Sequence, residues 1–326
     1  MSNKYMHLKN TFRKTFYISN SQAVKWYPGH MQKGLFQIQA KLQKVDCIIE
    51  IHDARVPFSG RNNRFRDIIK MRPHILLLNK IDLTDLQDNN KKREKIMTQL
   101  QKDGVDTTYF TNLRNNQNEH FLQSTILPSA KELIGQRPRY NREGAEDFNF
   151  LVIGLPNVGK STFINSLRST QLTTKGKATT VGAIAGITRS VLNKIKVSTH
   201  PNVYIIDTPG IMPPKVENIE TGMKLAACSS VPDHIIGEVH IADYILYWLN
   251  KHEHFSYVDY FQLDAPIDNV LQVLANIAVK NRKVSHIKDM STNQLVYRPN
   301  IQMAATMFIK AFREGHLGRF TLDTII

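Results

Sequence analysis

Two short motifs, and the order in which the chain presents them, limit its possible folds more than any other feature. Asn79-Lys80-Ile81-Asp82 closes the apolar run His74 to Leu78, and Gly154-Leu155-Pro156-Asn157-Val158-Gly159-Lys160-Ser161 comes afterwards, closing the apolar run Phe148 to Ile153. The later motif has the pattern of a phosphate-binding loop set between a strand and a helix. Its glycines let successive backbone N–H groups and a helix N-terminus converge on an anion. Lys160 is placed to reach the β- and γ-phosphates, and the Ser161 hydroxyl to ligate magnesium. Such a loop does not define the base. Asp82 does, because a carboxylate accepts two hydrogen bonds from the ring N–H and exocyclic amine of guanine, groups that adenine does not present together.

Further residues complete the expected site. Asn157, Val158, Gly159, Lys160, Ser161 and Thr162 form the phosphate-side contacts, and Asn79, Lys80 and Asp82 the base side, with Lys80 lying along the nucleotide and Asn79 tying the two loops together. The backbone near Thr111 and Asn112 is the expected remaining base contact. Asp207-Thr208-Pro209-Gly210 ends the apolar strand Val203 to Ile206, where Asp207 holds magnesium through water and the Gly210 N–H senses the γ-phosphate. A second protein ligand for magnesium is sought among Thr179, Thr180 and Thr188; Thr188 is chosen, since it immediately precedes the strand leading towards Asp207. Ile211 stands where signalling GTPases carry a water-orienting glutamine. A hydrocarbon cannot orient water, and unassisted turnover in this class is on the order of 10⁻⁴ per second, so another group or a partner must act.

Along the chain, helical and strand-like runs alternate as in a parallel α/β sheet. A helix is expected from Gln32 to Val45, a strand from Val45 to Ile51, a helix from about Asp85 to Lys102, a strand from Thr107 to Phe110, and a helix from Phe121 to Ile134. The polar segment 135–147 reads as a linker. Beyond Gly210 the helical runs are Gly222 to Ala227, His234 to Leu249, Asp268 to Val279 and Ile301 to Arg313.

Bulk properties narrow the partners. Lys and Arg total 43 against 28 Asp and Glu, for a formal charge of +15 and a pI near 9.7, which favours an anionic partner; RNA is placed ahead of an acidic lipid surface. Basic positions at Lys280, Arg282, Lys283, Lys288, Lys310, Arg313 and Arg319 are candidates to face RNA phosphates, with a solvated helix face as the alternative. Cys47 and Cys228 exclude a disulfide framework or a cysteine metal cluster. No apolar run approaches the roughly 18 residues of a membrane span. The first acidic residue is Asp46, after Lys4, Lys9, Arg13, Lys14, Lys25, Lys33, Lys41 and Lys44. Such an acid-poor leader resembles a mitochondrial targeting segment, with a basic RNA-binding arm as the alternative.

Trp26-Tyr27-Pro28-Gly29-His30-Met31, Asp53-Ala54-Arg55-Val56-Pro57-Phe58-Ser59-Gly60-Arg61-Asn62 and the reversed motif order resemble the circularly permuted ribosome-assembly GTPases, over roughly Trp26 to Leu322. The resemblance implies a P-loop GTPase domain, a mostly parallel sheet with helices on both faces, followed by a smaller all-helical C-terminal domain that binds rRNA. It implies action late in assembly of the large ribosomal subunit, with GTP hydrolysis accompanying release. It also implies that His30 substitutes for the missing glutamine, a helix-capping histidine being the alternative, and that Asn157 supports a potassium ion beside the β,γ-bridge, a turn residue being the alternative. The expected layout is a basic leader, 1–25; a GTPase domain, 26–215, with base-binding half 45–134, linker 135–147 and phosphate-binding half 148–215; and a helical domain, 216–326. With the leader, this places a monomeric factor in the mitochondrial matrix, bound to GTP or GDP, the mitochondrial large subunit and its rRNA, with the matrix face of the inner membrane as a peripheral site. An RNA-binding scaffold that uses GTP to hold its fold, and the same enzyme in cytosolic or nucleolar assembly, are the competing expectations. The Asp53 to Asn62 signature has no chemical role derivable from the residues alone; a buried Asp–Arg pair is expected. Since the chain runs from Gly210 through Pro213-Pro214 into the helical region, the phosphate sensor is expected to be wired covalently to the second domain.

Overall fold

A computed structural model describes residues 12–18, 42–61, 71–115, 118–139, 142–171, 194–199, 201–207, 218–288 and 295–325. The chain divides into two compact units. One comprises Trp26–Glu217, Cys228–Val231 and Phe320–Ile326, and the other Met1–Lys25, Asn218–Ala227 and Pro232–Arg319.

The first unit is built on a six-stranded sheet. Its strands are β1 (Cys47–Asp53), β2 (His74–Asn79), β3 (Thr107–Phe110), β4 (Phe148–Gly154), β5 (Lys194–Thr199) and β6 (Asn202–Asp207), in the order β3-β2-β1-β4-β6-β5. All neighbours run parallel except β5, which pairs antiparallel with β6 at the edge. β1 and β2 are buried throughout, as their continuous apolar runs require of central strands covered on both faces. β5 carries Lys194 and Lys196 and a register shift between Lys196 and Ser198, features that discourage further strand pairing at an edge.

Helix α1 (Asn90–Lys102) starts later than the charged run from Asp85 suggests, because Asn89 caps it by accepting the Lys92 N–H at 3.0 Å. The helix expected from Phe121 to Ile134 is α2 (Asn118–Phe121), a π-helical turn (Leu122–Ile126) and α3 (Leu127–Gly135) in succession. The segment 135–147 is tied down at its base. Arg139 and Arg142 both donate to the buried Asp46 at 3.1 Å, and Arg142 reaches Asp147 at 2.7 Å. Helix α4 (Lys160–Gln171) follows the phosphate loop directly.

The second unit holds α5 (Ile219–Ala227), α6 (Asp233–Ile236), α7 (Glu238–Lys251), α8 (Ser256–Tyr260), α9 (Val270–Lys280) and α10 (Ile301–Arg313). The single helix expected over His234 to Leu249 is broken at Gly237, whose φ of 91° lies in a region that glycine adopts without a Cβ clash. Asn269 and Asn300 cap α9 and α10, each accepting the amide hydrogen three residues further on, from Gln272 and Met303. The unit departs from the all-helical expectation: β7 (Val284–Lys288) and β8 (Leu295–Pro299) form an antiparallel ribbon between α9 and α10. Its core stacks Phe308 on Phe261 at 5.6 Å and against Tyr257, whose hydroxyl donates to Asn250 at 2.7 Å.

The described part of the basic leader is built into this unit. Phe12 is buried and meets Phe255, Phe16 packs edge-on against Tyr244 at 5.2 Å, and the Lys14 carbonyl accepts from the Tyr247 hydroxyl. Arg13 forks onto Asp243 at 2.7 Å and Asp268 at 3.1 Å. Arg313 likewise turns inwards, to Asp233 at 2.6 Å and to the Ala226 and Ala227 carbonyls, which corrects its assignment as an RNA-facing base.

Candidate nucleotide-binding site

In the parallel sheet every strand end that carries a candidate residue points the same way, so Asp53, Asn79, Phe110, Gly154 and Asp207 come to one edge. Ligands of open α/β sheets bind at that carboxyl edge, where the strand order reverses; here the reversal falls between β1 and β4. Register fixes the depths: Asp53 lies beside Asn79, Ile51 beside Gly154, and Val152 beside Asp207.

The phosphate loop approaches the end of β1 and the Asn79 side chain so closely that two of its positions favour glycine. A Cβ on Gly154 would lie 2.2 Å from the Ile51 carbonyl oxygen, and one on Gly159 2.4 Å from the Asn79 amide nitrogen. Gly159 has φ +111°, and Asn157 is left-handed at 58°. Lys160 is buried and folds over the loop, donating to the Leu155 carbonyl at 2.8 Å and the Gly154 carbonyl at 3.2 Å. Its ammonium therefore stands inside the bowl whose N–H groups and helix end converge on an anion. Ser161 and Thr162 occupy the first turn of α4, whose first turn carries no acidic residue.

Asn79 joins the two motifs. Its amide donates to the Val158 carbonyl at 2.7 Å, while its oxygen accepts the Leu113 N–H at 2.9 Å and faces the Thr111 hydroxyl at 3.4 Å. Thr111 in turn accepts the Ile81 N–H at 3.1 Å, and Asn112 closes a local turn by accepting from Arg114. The base motif, the phosphate loop and the 111–113 loop thus form one hydrogen-bonded corner. Asp82, on the short 3-10 turn Ile81–Leu83, has a buried carboxylate oxygen, Oδ1, with no hydrogen-bond partner. A buried acceptor without a donor costs free energy, and paired donors such as those of guanine would remove that cost.

The signature after β1 acquires a physical account. Arg55 donates to Asp53 from Nε at 2.9 Å and Nη2 at 2.8 Å, and the Lys80 ammonium meets the same carboxylate at 2.9 Å. Burial alone would raise the Asp53 carboxyl; the Arg55 guanidinium and the Lys80 ammonium outweigh it and hold it well below the usual carboxylate range. Lys80 needs such an anchor, having φ 63° without being glycine. Beneath it, Glu50 binds His52 at 2.7 Å and His74 at 3.0 Å; burial opposes its ionisation, and the two imidazoles more than compensate. Gly60 passes so close to His52 that a Cβ would lie 2.7 Å from its ring nitrogen. The expected buried Asp–Arg pair is present, and what the residues alone did not reveal is that it reaches Lys80.

Not every expected residue is brought together. His30, Thr188 and Gly210 lie outside the described residues, and so do Thr179 and Thr180; of Asp207, the backbone is placed at the end of β6. The Asn157 amide donates to the Ser229 carbonyl at 2.9 Å. Among the described residues, no group of three or more His, Cys, Asp or Glu side chains could hold a metal ion. A magnesium ion bound by one hydroxyl, nucleotide oxygens and waters needs no such group, and Ser161 at the helix mouth fits that requirement.

A parallel sheet that presents a guanine-type loop and a phosphate loop at one edge, with the guanine loop first in the chain, defines a circularly permuted P-loop GTPase. The family model described as 50S ribosome-binding GTPase matches residues 149–288. The GDP-bound structure of TM YlqF superimposes with a TM-score of 0.54 at 20% identity, covering 88% of this chain and 98% of that one. Mitochondrial ribosome-associated GTPase 1 of Ictalurus punctatus is 45% identical over 325 residues, 99% of each chain. That of Mus musculus is 43% identical over 318 residues, 97% of this chain and 95% of its own. The chain belongs to the mitochondrial ribosome-associated GTPase 1 family and is a GTP-hydrolysing enzyme.

Proposed function

We propose that this GTPase is an assembly factor for the mitochondrial large ribosomal subunit, and that its nucleotide state controls its association with the particle. The observation that carries the reading is the hydrogen-bonded corner of Asn79, Val158 and Leu113, which joins base and phosphate loops in a chain similar over nearly its whole length to relatives named ribosome-associated. The positive charge suits rRNA, and the basic leader suits matrix targeting. Since Phe12 and Arg13 belong to the helical unit, a processing cut that spares the unit falls before Phe12. The factor acts as a monomer, with the inner membrane as a peripheral site; among the described residues no helix is long and apolar enough to cross a membrane.

Within the site, Lys160 donates to the β- and γ-phosphates, Asp82 accepts from guanine, and backbone N–H groups near Thr111 and Asn112 meet the guanine oxygen. Ser161 and Thr188 would hold magnesium, with Asp207 acting through water. An ion held there would supply charge neutralisation at the phosphate oxygens. His30 orients the water that attacks the γ-phosphorus as its bond to the bridging oxygen breaks, and the Asn157 side-chain oxygen would support a potassium ion. GTP turnover measured with and without purified mitochondrial large-subunit particles tests the reading; a particle that leaves turnover unchanged, and binds equally with GDP and a non-hydrolysable GTP analogue, defeats it. Replacing potassium by sodium in the same assay tests Asn157.

A further inference from the structure

Downstream of α10 the chain returns to the nucleotide-binding unit and lies along its guanine-reading corner. The Phe320 N–H donates to the Leu83 carbonyl at 3.1 Å, and the Leu322 N–H to the Arg55 carbonyl at 2.8 Å. Between them the Thr321 hydroxyl donates to Asp85 at 2.6 Å. Asp323, buried, accepts the backbone N–H groups of Phe58 at 2.9 Å and Ser59 at 2.8 Å, and the Ser59 hydroxyl as well. Ile325 packs on the cluster of Ala54, Leu76, Leu78 and Leu86, together with Phe58 and Ile81.

We propose that this return segment positions the guanine-reading loop, with Asp323 and Thr321 as positioning residues for base recognition. One short stretch bridges two loops and adds to the links they already share, the Asp53–Lys80 pair, the Ala54 N–H on the Asn79 carbonyl at 2.7 Å and the packing of Phe58 with Ile81 on one cluster: the loop after β1 is gripped at Arg55, Phe58 and Ser59, and the loop after β2 at Leu83 and Asp85. Leu83 is the neighbour of Asp82, so the carboxylate that reads the base is flanked by a held residue on each side, Lys80 by Asp53 and Leu83 by Phe320. Two simultaneous hydrogen bonds to guanine demand that the carboxylate be fixed to within about half an ångström. A loop that must order itself on binding spends part of the interaction on that ordering. The Asp323 carboxyl group, accepting from the Phe58 N–H, the Ser59 N–H and the Ser59 hydroxyl, is a clasp of the kind that charge-assisted hydrogen bonds make stronger than neutral ones. None of these groups touches the base, and their effect passes through Asp82.

The inference rests on the reading of Asp82 as the guanine acceptor, and the experiment separates the two. Affinities for GDP and inosine diphosphate, which lacks the exocyclic amine, are measured for the full chain, for Asp323→Ala, for Thr321→Val and for Asp82→Ala. If the native chain shows no preference for GDP over inosine diphosphate, or keeps it in Asp82→Ala, the base reading fails. Given that preference, Asp323→Ala is expected to weaken GDP about tenfold, corresponding to about 1.4 kcal/mol. It should weaken inosine diphosphate by less, so that the preference shrinks; Thr321→Val should do the same to a smaller extent. A segment that merely stabilises the fold lowers both affinities equally, and that result, or an unchanged preference in both folded variants, overturns the proposal. Should Asp323→Ala fail to fold, Thr321→Val decides alone.

Discussion

The segment Phe12–Ile18 and the segment Phe320–Ile325 are both remote in sequence from what they hold, yet they hold it differently. Phe12–Ile18 attaches to the helical unit chiefly through rings and one forked guanidinium, Phe12 on Phe255, Phe16 on Tyr244, Arg13 on Asp243 and Asp268, with two main-chain bonds beside them, at the Arg13 N–H and the Lys14 carbonyl. Phe320–Ile325 attaches to the nucleotide-binding unit chiefly through main-chain hydrogen bonds and one carboxylate. Apolar burial is non-directional and stabilises whatever it covers. Hydrogen bonds to backbone fix position. The lesson is that the first attachment serves the stability of its unit, and the second the geometry of a site.

That contrast can be broken in several ways. The largest effect is expected from Gly159→Val, which forces a side chain against Asn79 at a φ of +111°. Guanine nucleotide affinity should fall by about 100-fold or more, by calorimetry, while hydrogen exchange across α7 stays as it was. If α7 loses protection too, the units are not separable in the sense argued. Next, replacing Arg13 and Phe16 together by alanine should destabilise the helical unit by about 2 to 4 kcal/mol, read by denaturant unfolding. GDP affinity should stay within about twofold; a larger drop would erase the distinction between the two attachments. Asp53→Asn should lower GDP affinity by about fivefold, because Lys80 loses its counter-charge, and adding Asp323→Ala should then cost less than it does alone.

The smallest effect is one of pH. Partial burial, offset in part by a hydrogen bond to the Trp248 carbonyl, lowers the pKa of His252, which keeps much of its surface open to solvent, from its ordinary 6.5. A group whose folded pKa lies below its unfolded one contributes stability that is present above the unfolded value and lost as pH falls through the folded value. The carboxyls of Asp53 and Glu50 are depressed as well, but from 3.8 and 4.5, so their contribution survives to more acid pH. Lowering pH from about 7.5 to about 5.5 should therefore weaken protection in α7 slightly and leave β1 unaffected. Equal loss in both would show that the two units respond to acid as one.

Much of the nucleotide-binding unit was legible because its signals are local. Buried parallel strands read as continuous apolar runs, and each of β1 to β4 ends within two residues of where its run ends. Asn79, Gly159 and Lys160 were legible because loop chemistry at fixed spacing needs those residue types. Interactions between segments far apart were not. Asp323 looks like an ordinary acidic residue until the N–H groups of Phe58 and Ser59 are brought to it, and Asp53 carries no sign of reaching Lys80 as well as Arg55. Phe12 and Phe16 flank bases in an acid-poor leader, so composition spoke for targeting while the contacts lie with Tyr244 and Phe255. The ribbon β7–β8 sits between two strong helices, and five-residue strands carry little periodicity to set against them.

The grip of Asp323 on Phe58 spans 265 positions of chain, so recognition waits on delivery. A polypeptide emerging N-terminus first exposes its base-reading corner early, but that corner stays loose until the whole helical unit has followed. Tight capture of guanine is thereby a late event in the life of a new molecule, timed by the emergence of its last few residues.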